Sequence, residues 1–171
     1  EVPFDAIDVG YGDTDKIKDG GGTHSGRSMR MGAIVLCDAS NKIIARARRI
    51  ASHVLEAAEA DIEYAETVFT VAGTDRRISL FDVAAAARDR TDLAEDLRGE
   101  LKEEADVHFA QAVIGSGCHV CEVEIDPDTG VVEVVDWTAV DDVGRAINPM
   151  TLDGQTHGGV LQGIGQALME N

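Results

Sequence analysis

Two stretches of this chain carry groups suited to chemistry. The first is GGGTHSGRSM at residues 20–29. It sets Thr23, His24, Ser25, Arg27 and Ser28 on a backbone containing Gly22 and Gly26, directly ahead of a helical pattern. Glycine loses more conformational freedom on folding than any other residue, so such a cluster needs a cause. One cause is a permissive start to a helix. The other is a backbone that approaches an anion, with N–H groups at a helix N-terminus as donors. The segment is neither a Gly-Lys-Ser/Thr phosphate loop nor GxGxxG. The second stretch is DGQTHGGVLQGIGQAL at 153–168, with Gln155, His157 and five glycines. Each glycine costs a helix about 1 kcal/mol against Ala. Gly154, Gly158 and Gly159 are useful where a flat ligand or another backbone packs closely.

Other constellations read as structural. CHVC at 118–121 lies in a strand pattern, where the odd spacing points Cys118 and Cys121 to opposite faces. A second CxxC, needed for a four-ligand zinc site, is missing, so burial is the expected role of these thiols. His53 falls on a helix, His108 and His119 in strand-like runs, and His24 and His157 in Gly-rich segments. No His-x-x-x-His pair or GxSxG motif occurs, which argues against a side-chain metal centre and a serine nucleophile. Asp141 and Asp142 read as a solvated turn. No residue is assigned a catalytic role.

These segments need elements to position them. FDAIDVGYGDTD at 4–15 alternates like a short strand. A long helix is expected from about Met29 to Ala58, with Ile43, Ala47, Ile50, Ala51, Val54 and Ala58 on one face. Lys42, Arg46 and Arg49 lie off that face, and DASN at 38–41 is a candidate bend. Residues 61–73 look strand-like, and 79–90 a short helix capped by Ser79 with Asp82 three residues on. Residues 91–106 are charged, helix-prone and poor in apolar anchors, so 91–110 is expected to be a weakly specified connection. HVCEVEID and VVEVVDWTAVDD flank a Pro-Asp-Thr-Gly turn, a hairpin signal. The closing segment has Leu161, Ile164 and Leu168 at helical spacing. The order implies an α+β fold: a long helix and shorter helices packed on a mainly antiparallel sheet with a long β-hairpin, in a single domain over 1–171.

Composition sets the outer bounds. The 171 residues carry 32 acidic and 15 basic side chains, a net charge of -17, which disfavours nucleic acid as a partner. No apolar run is long enough to span a bilayer. The acidic start lacks a signal peptide's basic and apolar regions. Three cysteines make a poor disulfide set, so a cytoplasmic location is expected. The start without Met suggests a processed or excised piece.

Four collinear blocks then carry a resemblance: GDTD (12–15), GGGTHSGRSM (20–29), GCHVCEVEIDPDTGVVEV (117–134) and VDDVGRAINPMTLDGQTHGGVLQGIGQAL (140–168). Together they resemble the molybdenum-binding large subunit of the xanthine dehydrogenase, aldehyde oxidase and carbon monoxide dehydrogenase family. The resemblance implies a molybdenum–molybdopterin cofactor, sometimes as the cytosine dinucleotide, and hydroxylation of an aldehyde or N-heterocycle with oxygen from water. Iron–sulfur clusters and FAD are implied on partner subunits or domains. Gly22, Thr23, His24, Ser25, Gly26, Arg27 and Ser28 would contact the cofactor largely through backbone N–H groups, and Gln155 would reach its molybdenum end. The loop reads HSGRS where many relatives order glycine and serine the other way. The family's catalytic glutamate lies beyond the GIGQAL block, so the piece is expected to be inactive without the rest of the large subunit. Self-association through uncovered surface is a further expectation. The rival expectations are a non-catalytic assembly module of the same fold and a nucleotide-binding regulator.

Overall fold

The amphipathic stripe of 43–54 and the Ser79 cap both act as their patterns suggest, and they organise the first half of the chain. The structure, a computed structural model, describes residues 2–17, 19–108 and 114–170. The chain divides into two compact units, Glu1–Ala110 and Gln111–Asn171.

In the first unit, helix α1 (Arg27–Val54) runs unbroken for 28 residues. The DASN segment does not bend it; Asp38 instead pairs with Lys42 one turn on, at 2.8 Å. The helix stops short of Ala58 because Glu56 turns left-handed (φ 48°), and Ala57 N–H returns to the Ser52 carbonyl. That is glycine-type termination without glycine, so the sequence held no stop signal. Strands β1 (Ile62–Ala65), β2 (Val68–Val71) and β3 (Arg77–Ser79) form an antiparallel sheet in that order. Ile62 faces Val71, and Tyr64 faces Phe69. Helix α2 (Leu80–Asp89) follows β3 directly. Its first turn is capped as expected: Asp82 N–H donates to Ser79 Oγ at 3.1 Å, and the Ser79 hydroxyl donates back to the Asp82 carboxylate.

The core gathers Ala47, Ile50 and Ala51 of α1, Ile62, Phe69 and Val71 of the sheet, and Val83 and Ala87 of α2. Leu93 and Leu97 complete it, which corrects the reading of the segment from 91 as poorly anchored. Apart from one 3₁₀ turn (Glu95–Leu97), the described part of that segment, to residue 108, is an irregular strap; 109 and 110 lie outside the described residues. The basic side chains of α1 hold it. His53 Nε2 lies 2.9 Å from Asp92, and Arg49 lies 2.8 Å from Asp96. Arg46 donates to the carbonyls of Arg98 and Glu100, and Lys42 to that of Glu104. Positions 42, 46, 49 and 53 share one helical face, and the strap runs antiparallel to it. Residues 4–15 contain one 3₁₀ turn (Phe4–Ala6) and no strand, because no strand among the described residues pairs with them. His108 likewise lies outside any strand.

In the second unit, β4 (Ser116–Ile125) and β5 (Val132–Asp142) form the expected hairpin. Asp126 Oδ1 accepts the N–H groups of Asp128 and Thr129, and Gly130 takes φ 73° to close the turn. A bulge leaves Val135 without a partner, between Asp136 opposite Glu122 and Val134 opposite Val123. It puts Trp137 and Val134 on one face although they are three residues apart. Helix α3 (Pro149–Leu168) starts on Asn148, whose side chain accepts Thr151 N–H at 3.1 Å, with Pro149 in the first turn. Two small antiparallel sheets and three α-helices among the described residues make the fold α+β, as the sequence implies.

Candidate functional site

The glycine-rich loop is shaped by bonds within itself. Asp19 Oδ1 accepts Gly21 N–H at 3.2 Å. Arg27 Nη1 donates to the carbonyls of Gly20 and Gly22, each at 3.0 Å. Thr23 and Ser28 join through their hydroxyls, and Arg27 N–H donates to the His24 carbonyl at 2.8 Å. Gly21, Gly22, Ser25 and Gly26 all have positive φ, from 51° to 73°. The backbone N–H groups of residues 22–26 find no hydrogen-bond partner among the described residues. Immediately after them α1 begins at Arg27, with Gly26 as its N-cap residue and no side-chain cap. Unpaired amides ahead of the N-terminus of a 28-residue helix are the kind of donors, beside a positive dipole end, that an anion can use. A Cβ built on Gly20, Gly22 or Gly26 would meet nothing within 4 Å, so this face of the loop is open to an approaching group.

Gly22, Thr23, His24, Ser25 and Gly26 thus lie in one loop, with Arg27 and Ser28 in the first turn of α1 beside it. Arg27 is engaged with carbonyls. His24 Nδ1 lies 3.4 Å from its neighbour Ser25 Oγ, a marginal contact. Only Gly21, which leaves room for the guanidinium, hints in the sequence that Arg27 turns back on Gly20 and Gly22.

Gln155 belongs to the second unit, exposed in the first half of α3. Gly159 and Gly163 follow it at intervals of four, so the amide heads a strip of bare backbone. Open space lies over Gly154, Gly158, Gly159 and Gly163. His157 is exposed on the same helix.

The hairpin corrects two expectations. Cys118 and Cys121 are exposed, not buried, because among the described residues the second unit has no buried core to receive them. Asp141 and Asp142 end β5 and are not a free turn. Asp141 Oδ1 and His119 Nε2 share a hydrogen bond at 3.0 Å, the carboxylate lying across Gly117, where a side chain would collide. His119 stands edge-on to Trp137 at 6.0 Å. Trp137, with Val134, Ile164 and Leu168, lines an apolar cleft of about 160 Å³ between hairpin and α3. Among the described residues no three His, Cys, Asp or Glu side chains converge as metal ligands.

The family model of the molybdopterin cofactor-binding domain matches residues 1–171, and the chain belongs to that family. Its particular likenesses are to dehydrogenases. It is 38% identical over 171 residues to the 6-hydroxypseudooxynicotine dehydrogenase complex subunit gamma of Paenarthrobacter nicotinovorans, covering 99% of this chain and 21% of that protein. It is 34% identical to the carbon monoxide dehydrogenase large chain of Hydrogenophaga pseudoflava, covering 98% of this chain and 21% of the relative. The crystal structure of the Cu,Mo-CO dehydrogenase in its carbon monoxide reduced state superposes with a TM-score of 0.67 at 33% identity, over 85% of this chain and 18% of that one. The chain thus spans about 21% of the length of these relatives.

The donor set fits such a cofactor. A pterin with a phosphate tail presents acceptor oxygens and a flat ring, which call for backbone donors and close approach. Unpaired N–H groups on residues 22–26 and the open faces of Gly22 and Gly26 provide both.

Proposed function

We propose that this chain forms part of the cofactor-binding wall of a molybdenum hydroxylase large subunit that oxidises a small aldehyde or N-heterocycle, with water as oxygen source. The observation that carries this reading is the row of unpaired amides at 22–26 ahead of α1. Gly22, Thr23, His24, Ser25 and Gly26 bind the anionic part of the cofactor through their N–H groups. Arg27 and Ser28 shape the loop around it. Gln155 donates or accepts at the cofactor's metal end through its amide. When bound, the molybdenum–pterin group supplies the two-electron acceptor. The chain's own residues hold and orient it; none of them is the general base, which the remainder of the large subunit provides. A relative named for a nicotine-derived substrate supports the N-heterocycle class, and its designation as a complex subunit supports the existence of partner subunits; iron–sulfur clusters and FAD on those partners belong to the same reading. The cofactor's cytosine dinucleotide form and a cytoplasmic location belong to the same reading. Among the described residues no helix is long and apolar enough to cross a membrane.

The test is metal and pterin analysis of the purified intact enzyme containing this chain. Molybdenum and pterin are expected in equal amounts, with CMP released on acid hydrolysis and label from ¹⁸O-water in the product. A native complex that co-purifies with neither metal nor pterin contradicts the reading in favour of an assembly module.

A further inference from the structure

We infer that Arg27 is a positioning residue that acts on the cofactor through the loop backbone and is not a ligand of the cofactor's anionic groups; this rests on the cofactor-binding reading of the loop. A lone arginine in a glycine-rich loop before a helix reads from sequence as the anion's counter-charge. The geometry assigns it elsewhere. One nitrogen, Nη1, donates to both the Gly20 and the Gly22 carbonyl at 3.0 Å. Holding two carbonyls on the guanidinium fixes the peptide planes on either side of Gly21 and Gly22. The residues that follow, 22–26, are those whose N–H groups are left without partners.

Gly21 shows how closely the clasp is built. A Cβ there would lie 2.9 Å from Arg27 Nη2 and 3.1 Å from Cζ, so the guanidinium packs where a side chain would begin. Gly21 also sits at φ 63°, and its N–H is tied to Asp19. The remaining glycines of the loop have open space at the same point. Glycine at 21 therefore serves the arginine, while Gly22 and Gly26 leave room for a ligand. A loop ordered before binding loses less entropy when the ligand arrives. Removing the clasp thus alters the loop even when no cofactor is bound, whereas removing a direct ligand does not.

The experiment uses the intact enzyme, prepared with and without cofactor, as wild type, Arg27→Ala and Arg27→Lys. Subtilisin cleavage within 20–26 is followed by mass spectrometry, and molybdenum content is measured in parallel. Arg27→Ala is expected to speed cleavage of the cofactor-free enzyme about tenfold, the scale of losing charge-assisted hydrogen bonds, and to lower molybdenum content. Arg27→Lys, which keeps the charge but lacks the planar guanidinium that packs over Gly21, is expected to fall nearer to Ala than to wild type in both measurements. Unchanged cleavage of cofactor-free Arg27→Ala enzyme together with lost molybdenum makes Arg27 a direct ligand and overturns the inference. Faster cleavage with full molybdenum content overturns the loop's part in cofactor binding. If cofactor also fails to protect the wild-type loop, the cofactor-binding reading itself falls.

Discussion

The two units of this chain reach their structures by different means. Among the described residues, the first has ten buried apolar ones drawn from α1, the three-stranded sheet, α2 and the strap. The second has none among its described residues; the hairpin is held by its ladder and turn, and α3 by its own hydrogen bonds and Asn148 cap. Val120, Val123, Ile125, Val140 and Leu161 remain exposed there. Local signals alone can specify a hairpin and a helix, but burial is what fixes them globally. The unit with a core carries the glycine-rich loop at the start of its central helix. The unit without one carries Gln155.

The largest test of this contrast is a pair of truncations. Phe69 is fully buried, and Phe69→Ala is expected to cost the first unit about 3–5 kcal/mol in chemical denaturation. Trp137→Ala, on the hairpin, is expected to leave that transition where it is. Equal losses would mean that the two units unfold as one.

A smaller effect should appear at the turns. The β1–β2 connection is two residues long, and both Glu66 and Thr67 have positive φ, 46° and 65°, although neither is glycine. Asn-Gly is the natural occupant of such a turn. Replacing Glu66→Asn and Thr67→Gly together is expected to stabilise the first unit by about 1 kcal/mol, read as a higher denaturation midpoint. The β4–β5 turn already has Gly130 in its left-handed position and offers no comparable gain.

The smallest effects are electrostatic. Hydrogen bonds from Arg90 first, and from His53 second, hold the Asp92 carboxyl well below the usual carboxylate range. A lowered folded pKa contributes stability above the unfolded value of about 3.9 that is lost as pH falls through the folded value. Asp92→Asn should therefore be less stable than wild type at neutral pH, with the gap closing in acid. In the second unit, the N–H groups of Thr129 and Asp128 lower the Asp126 pKa. Asp126→Asn should show the same closing gap, read in the hairpin's amide exchange and not in the first unit's transition.

What was legible in the sequence follows the same division between local and non-local causes. The Ser79 cap and the Asp126–Gly130 turn are short-range patterns and appear as read; of the α1 stripe, Ala47, Ile50, Ala51 and Val54 meet the core, while Ile44 packs there in place of Ile43 and Ala58 lies past the helix end. The end of α1 was illegible because Glu56, not glycine, takes the left-handed conformation. The strap was misread because Leu93 and Leu97 gain meaning only against a core built 40 or so residues earlier, facing the basic side chains of α1. The alternation at 4–15 promised a strand, yet a strand exists only with a partner. At the site, the glycine spacing announced the loop, but not the engagement of Arg27, because its acceptors are backbone carbonyls, which every residue has.

The most direct measurement of the account is the molybdenum content of the intact enzyme carrying Gly26→Val. Gly26 has φ 64° and open space where its side chain would begin, so valine both strains the backbone and fills the proposed approach to the amides. Gly10→Val, at an open position with no left-handed φ, serves as the comparison. The account predicts that the Gly26 variant loses most of its molybdenum while the Gly10 variant keeps it. Full molybdenum content in Gly26→Val enzyme would contradict it and leave the loop as no more than a permissive start to α1.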